Sequence, residues 1–148
     1  MPLTGEYEPS PWDWVSAQVE QYEATGGKEG GTLEGAPCVI LTTKGRKSGK
    51  LRKTPLMRIE HEGVYAVVAS LGGAPQHPVW YLNLVANPEV TLQDGGKVLD
   101  LRARTATPEE KADWWPVANA TWPSYESYQQ STDRDIPVVL LEPLDSLS

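Results

Sequence analysis

The chain has 148 residues, with 13 Lys+Arg against 20 Asp+Glu and a formal charge of −7. Its single cysteine excludes an intramolecular disulfide framework, and with only two distant histidines the usual zinc ligand set is missing. No apolar run approaches the ~18 residues of a membrane span, and the first ten residues lack the basic start and apolar core of a signal peptide, so the expectation is one cytoplasmic domain over residues 1–148.

A helix is predicted from Pro11 to Thr25, capped by Ser10, with Pro11 at its first position, Asp13 in its first turn and Gly26-Gly27 as its stop. Trp14, Val15, Val19 and Tyr22 fall on one stripe, with Trp12 nearby. Asp13, Gln18, Glu20 and Glu23 take the other side. An acidic polar face is repelled by anionic lipid, so this helix is expected to pack on the domain. Gly26–Gly35 reads as a loop. Strands follow at Cys38–Thr42 and Leu51–Glu60, joined through the turn residues Gly45–Gly49. Pro55 marks the second as an edge or a bulge. His61-Glu62-Gly63 turns the chain into a strand at Val64–Ala69, and Gly72-Gly73-Ala74-Pro75 ends it. A short helix is expected from His77 to Ala86, ended by Asn87-Pro88. Val90–Gln93 and Lys97–Ala106 form a hairpin about Asp94-Gly95-Gly96. In its second arm Leu99, Leu101 and Ala103 alternate with Asp100, Arg102 and Arg104. Thr107-Pro108-Glu109-Glu110 is a capping box that opens a helix containing Trp114 and Trp115, which Pro116 should kink or end. Ser124–Gln130 is another short helix, and Ile136–Glu142 a last apolar strand. There is no internal repeat and no linker. Hairpin-rich strands with interspersed helices point to an antiparallel or mixed barrel, not a doubly wound sheet.

The charge is unevenly placed. Lys44, Arg46, Lys47, Lys50, Arg52, Lys53 and Arg58 occupy a stretch with no acid, which leaves −14 on the rest of the chain. On charge alone, a solvated hairpin with lysines guarding an edge and a site for an anionic ligand are equally open. The turn offers glycines for close backbone approach, the hydroxyls of Thr43 and Ser48, and guanidinium and ammonium groups for phosphate or carboxylate. It has neither the Walker A order nor the dinucleotide glycine fingerprint. A second constellation joins Ala69-Ser70-Leu71-Gly72-Gly73 to Trp80, Tyr81 and Asn83. It suits a flat heteroaromatic ligand held by backbone groups and rings, or else ordinary packing of Trp80. His77 reads as a surface or capping residue. A third constellation sets Trp122, Tyr125 and Tyr128 at successive steps of three, either as a pocket wall or as a core stripe. Nothing makes a nucleophilic triad, and Cys38 reads as a small buried hydrophobe. Redox chemistry would therefore rest on a cofactor.

Taken together these motifs resemble the deazaflavin-dependent nitroreductases. The resemblance is carried by Leu41–Gly49 through Pro55-Leu56, by Ala69–Ala74, by Pro78–Leu84 with Ala86-Asn87-Pro88, by Pro123-Ser124-Tyr125 with Tyr128, and by Thr132–Val138. It runs from about Ala36 to Pro143. It implies an α+β fold, a mostly antiparallel split β-barrel of about six strands with an N-terminal helix and several short peripheral helices. It also implies coenzyme F420, a 5-deazaflavin with a phosphate and a polyglutamate tail, found mainly in actinobacteria. In its reduced form the coenzyme gives a hydride to activated alkenes, quinones or nitroaromatics. By the resemblance Arg46, Lys47, Ser48 and Arg52 would hold the anionic tail, and Ala69, Ser70, Trp80 and Asn83 the ring. Trp122, Tyr125 and Tyr128 would face a small planar electron-poor substrate, with Tyr125 and Ser70 as the catalytic hydroxyls. Three positions depart from the family pattern: Leu71 replaces a lysine, Met57 an aromatic and Trp122 a tyrosine. The expected protein is a monomer or homodimer. A non-catalytic F420 carrier or sensor and an FMN-dependent split-barrel oxidoreductase are the alternatives. Nucleic acid is not an expected partner, because no aromatic between Lys44 and Arg58 is available to stack bases.

Overall fold

The computed structural model describes residues 5–33, 35–70, 73 and 76–143. In chain order its elements are α1 (Asp13–Thr25), β1 (Thr32–Leu33), β2 (Ala36–Lys44), β3 (Leu51–Met57), β4 (Ile59–His61), β5 (Val64–Val68), α2 (Val79–Ala86), β6 (Glu89–Asp94), β7 (Lys97–Thr105), α3 (Pro108–Thr121), α4 (Ser124–Gln130) and β8 (Val138–Pro143). Every strand pair is antiparallel, in the order β1-β2-β6-β7-β8-β5-β4, with β3 also on β2.

The stretch expected as one strand, Leu51–Glu60, changes neighbour at Arg58. Before it Met57 pairs with Cys38 of β2, and after it Ile59 pairs with Ala66 of β5. One run of chain therefore joins the two ends of the sheet and curls it into the split barrel. Counted as paths around the barrel, the strands are six, as expected, with the two-residue β1 added outside. The bend is held on two sides. The Arg58 N–H donates to the Pro37 carbonyl at 2.9 Å. Its guanidinium meets Asp94 at 3.0 Å, and the Tyr65 hydroxyl donates to the same carboxylate at 2.5 Å. Burial, and the carboxylate beside it, push the Tyr65 phenol up to about 12. Pro55 is tolerated because β3 has β2 as its only paired strand among the described residues, so its missing N–H breaks no ladder.

The side-chain period of two builds the core directly. Val39, Leu41, Tyr65, Val67, Val90, Leu92, Leu101, Ala103, Val139 and Leu141 point into the barrel, where Trp80 and Leu84 of α2 join them. The opposite faces of the same strands bury a second and a third cluster. Cys38 and Ile40 pack on Val19 and Tyr22 of α1. Ile59, Ala66, Val68, Val138 and Leu140 pack on Ala118 of α3 and Tyr125 of α4.

Several expected boundaries move. α1 begins at Asp13, because the Ser10 hydroxyl accepts the Trp12 N–H at 3.1 Å and Pro11 stays outside the helix. Its apolar stripe is buried only at Val19 and Tyr22, whereas Trp12 and Trp14 are 67% and 60% exposed. α2 begins at Val79, after Pro78. β8 begins at Val138, because the Ile136 N–H is taken by the Gln129 side chain at 2.9 Å. Pro116 does not end α3, which continues to Thr121. A proline inside a helix forfeits one hydrogen bond, and here Trp114, Trp115, Val117 and Ala118, on both sides of it, pack against the barrel cluster. Among the described residues no helix is long and apolar enough to cross a membrane.

Tyr22 ties α1 to the barrel. Its hydroxyl accepts the Gly95 N–H at 2.7 Å and lies 3.1 Å and 3.3 Å from the Cys38 and Gln93 carbonyls. Tyr22→Phe leaves the Gly95 N–H without this partner and should cost about 1–3 kcal/mol, read as a lower urea midpoint at unchanged slope.

The capping box at α3 forms as expected, with Thr107 and Glu110 exchanging bonds. Arg104 grips Glu110 through two bonds of 2.7 Å and Glu142 through one of 2.8 Å. The Arg104 bonds, then the Thr107 N–H, hold the Glu110 carboxyl down to about 2. A depressed folded-state value means that this contribution is complete above the unfolded carboxyl value, near 4.5. It is lost as pH falls through about 2. Stability should therefore fall across that acid window, and Glu110→Gln should flatten the fall in denaturation midpoints measured against pH.

Candidate active site

A cleft of about 1020 Å³ opens along β3 and gathers ten of the eleven side chains singled out in the sequence. Arg46, Lys47, Ser48 and Arg52 come from the basic hairpin, Ser70 from the end of β5, Trp80 and Asn83 from α2, and Trp122, Tyr125 and Tyr128 from the segment entering and forming α4. Ala69 is the exception. It is fully buried, its N–H donates to the Pro137 carbonyl at 2.9 Å, and its side chain does not line the cleft.

The seven basic residues do not act as one patch. Arg58 is committed to Asp94, Lys53 to Glu23 and Arg52 to Glu8 at 2.6 Å, with Lys50 also near Glu8 at 3.9 Å. Among the described residues Lys44, Arg46 and Lys47 make no ion pair. The surplus charge thus sits at the tip of the hairpin, and Arg52 reaches the cleft already partnered. The tip is tight: the Gly45 N–H donates to the Lys50 carbonyl at 2.8 Å, and a Cβ on Gly45 would lie 2.7 Å from Ser48 Oγ.

Asn83 has a part that spacing did not reveal. Its Oδ1 accepts the Arg46 backbone N–H at 3.1 Å, its Nδ2 donates to Thr43 Oγ1 at 3.5 Å, and Asn87 donates to the Lys44 carbonyl at 3.4 Å. Buried at 3% exposure, Asn83 fixes the basic tip against α2.

The end of β5 is also occupied. The expected exposed backbone acceptors of Ala69 and Ser70 are taken by Arg134, at 3.1 Å and 2.7 Å. Sequence reasoning gave Arg134 no role, although it lies within Thr132–Val138, a stretch that carried the resemblance. The same guanidinium meets His77 Nδ1 at 3.1 Å. Burial and this positive neighbour lower the His77 pKa, so the imidazole stays neutral and accepts. His77 is therefore neither a free surface residue nor a helix cap. Leu71, Gly72, Ala74 and Pro75 lie outside the described residues.

Gly73 settles how closely α4 approaches. Its φ is +85°, and a Cβ there would lie 3.0 Å from the Tyr128 carbonyl oxygen. On that support Tyr125 is 5% exposed, with its ring 6.3 Å from both Trp115 and Tyr128. Its hydroxyl lacks a hydrogen-bond partner among the described residues. Burial foremost, with Tyr128 adding, pushes the Tyr125 phenol well above the ordinary tyrosine value. It therefore keeps its proton at neutral pH. Trp122 Nε1 donates to the Tyr128 hydroxyl at 3.3 Å, and Met57 packs in the same cluster. Trp80 fits both readings: it belongs to the barrel core, at 9% exposure, and it also lines the cleft. No group of three metal-ligating side chains occurs among the described residues.

Residues 14–143 match the F420H(2)-dependent quinone reductase family. An F420H(2)-dependent quinone reductase of Mycobacterium tuberculosis is 38% identical over 124 residues, covering 81% of this chain and 83% of that protein. The solved structure of an F420-H2 dependent reductase, FDR-A, is 54% identical with a TM-score of 0.68, covering 72% of this chain and 94% of that one. Another solved structure, a domain-swapped dimer, is 50% identical with a TM-score of 0.71, covering 90% and 100% of the two chains.

Proposed function

The chain belongs to the F420H(2)-dependent quinone reductase family, and from that premise we propose that it is a cytoplasmic oxidoreductase that reduces a small planar quinone-type acceptor with reduced F420. One observation carries the proposal. A single cleft holds cations without ion-pair partners at the hairpin tip and a buried, protonated phenol without a hydrogen-bond partner among the described residues. The charge suits a phosphate and a chain of carboxylates; the phenol suits an acceptor on which negative charge develops.

The reduced coenzyme, when bound, supplies the hydride. Arg46, Lys47 and Ser48 would hold its anionic tail, with Asn83 keeping their backbone in place and Arg52 shared with Glu8. Trp80 and Ser70 would flank the ring, Ser70 through a hydroxyl free to turn into the cleft. Arg134 fixes the backbone of Ala69 and Ser70, so that wall moves little. Trp122 and Tyr128 would stack on the acceptor. Tyr125 would donate to the acceptor oxygen, and hydride with one proton completes the quinol. A donor fixed before the reaction has no reorganisation to undergo as that charge appears.

The test mixes reduced coenzyme, a quinone and the protein, and follows the visible absorbance of the oxidised coenzyme. Protein-dependent oxidation is expected. Tight coenzyme binding without turnover across a varied acceptor panel would support a carrier or sensor instead. Co-purified yellow FMN with no F420 affinity would support a flavin enzyme.

A further inference from the structure

An acid stands among the cations of the cleft. Of the described side chains that line it, Arg46, Lys47, Arg52 and Lys53 are basic and Glu8 alone is acidic. Glu8 belongs to a segment ahead of α1 that lies along the start of β3. Tyr7 bridges Leu51 in parallel register, the Leu51 N–H donates to the Glu6 carbonyl at 2.7 Å, and the Glu8 N–H donates to the Leu51 carbonyl at 2.9 Å. The Tyr7 ring also lies 4.8 Å from Lys53 Nζ. Main-chain bonds therefore hold residues 6–8 without help from the Glu8 carboxylate. That carboxylate meets the cations instead: it accepts from Arg52 at 2.6 Å and lies 3.9 Å from Lys50. The pair is open to solvent, with side-chain exposures of 42% for Glu8 and 32% for Arg52. An exposed pair of this kind adds little to stability.

We propose, resting on the reductase reading above, that Glu8 is a tethered competitor for the coenzyme's anionic tail and limits the affinity that the tail adds. Its carboxylate has the same chemistry as the glutamates of that tail, and it already occupies Arg52. A group fixed by its own backbone beside its partner is present at a high effective concentration. A tail anion that reaches Arg52 must therefore displace it. A deazaflavin without the tail meets no such contest. Glu23, which pairs Lys53, does not line the cleft, so the competition rests on Glu8. The consequence is a brake. The protein binds tail-bearing coenzyme less tightly than its cations alone would allow, and lets it go more readily.

Calorimetric titration with the oxidised coenzyme tests this, comparing the wild type with Glu8→Gln. The substitution removes the charge and leaves the main-chain bonds of residues 6–8 in place. At low salt, coenzyme with phosphate and glutamates should bind the variant about fivefold tighter, the scale of one exposed ion pair. The gain should shrink as salt is added. A deazaflavin without phosphate or glutamates should bind both proteins equally. In an Arg52→Ala background Glu8→Gln should add less than about twofold, because no guanidinium is left to contest. A form that carries the phosphate alone identifies the rival. A gain there sets the phosphate against Arg52, a gain only with glutamates sets a carboxylate there, and either result supports displacement. Unchanged or weaker binding by Glu8→Gln overturns the proposal. So does an equal gain without the tail, or the full gain without Arg52, since either would mark a general effect of charge. If no form of the coenzyme binds, the reductase reading fails by itself, and tri-γ-glutamate titrated in its place judges Glu8. Tighter binding of that peptide by the variant then supports the competition, and equal binding or none overturns it.

Discussion

Tyr125→Phe is expected to lower kcat by about a hundredfold or more, the usual scale for a positioned proton donor, with coenzyme Kd unchanged within a factor of two. The phenyl ring fills the space that now packs against Trp115 and Tyr128. Because the hydroxyl has no protein partner among the described residues, removing it leaves no group in the protein unsatisfied. Thermal stability should hold or rise slightly. That combination of intact stability, intact coenzyme affinity and lost turnover separates a catalytic hydroxyl from a structural one. The raised phenol also predicts that no alkaline decline in rate below the ordinary tyrosine value of 10 comes from Tyr125. Stopped-flow oxidation of bound reduced coenzyme by a quinone checks both statements. An undiminished rate in the variant removes Tyr125 from the reaction.

The double substitution Arg46→Ala/Lys47→Ala should weaken coenzyme binding by about 1–3 kcal/mol for each charge-assisted bond lost. The loss should grow with the number of glutamates in the tail and shrink as salt is added. Arg52→Ala should cost less, although it lies in the same cleft. Its guanidinium is already held by Glu8 at 2.6 Å, so less of its charge is available to a ligand. Titration of the variants with coenzymes of different tail length ranks the residues. Equal losses at all three positions would contradict the division of the basic segment into paired and unpaired members.

That division marks where reading the sequence stops. The run from Lys44 to Arg58 announces an anion site by composition, yet four of its seven charges are taken by Glu8, Glu23 and Asp94. Those acids lie in distant parts of the chain, so only the folded structure reveals the pairing. Local signals fared better. The Thr107 capping box, the Glu62-Gly63 and Gly95-Gly96 turns and the alternation of Leu99, Leu101 and Ala103 all depend on near neighbours, and all form. The Leu51–Glu60 stretch was legible as a strand, but not as a strand with two partners, because nothing local marks Arg58 as the place to change sides. Trp14 fits a helical stripe by spacing, with Trp12 nearby, yet both stay largely exposed at the start of α1. Arg134 and Asn83 were legible as members of motifs. Their tasks, bonding main-chain atoms up to 65 positions away, were not.

The placement of β8 has a consequence for how the protein is made. Residues 138–143 lie between β5 and β7, pairing Val68 with Val138 on one side and Thr105 with Val139 on the other. A ribosome must therefore produce nearly the whole described chain before two long-finished strands can be joined. Until then β5 and β7 each present an edge of unpaired backbone N–H and C=O groups, open to the wrong neighbour. Synthesis rate and chaperone supply should consequently govern yield more than the stability of the finished barrel does.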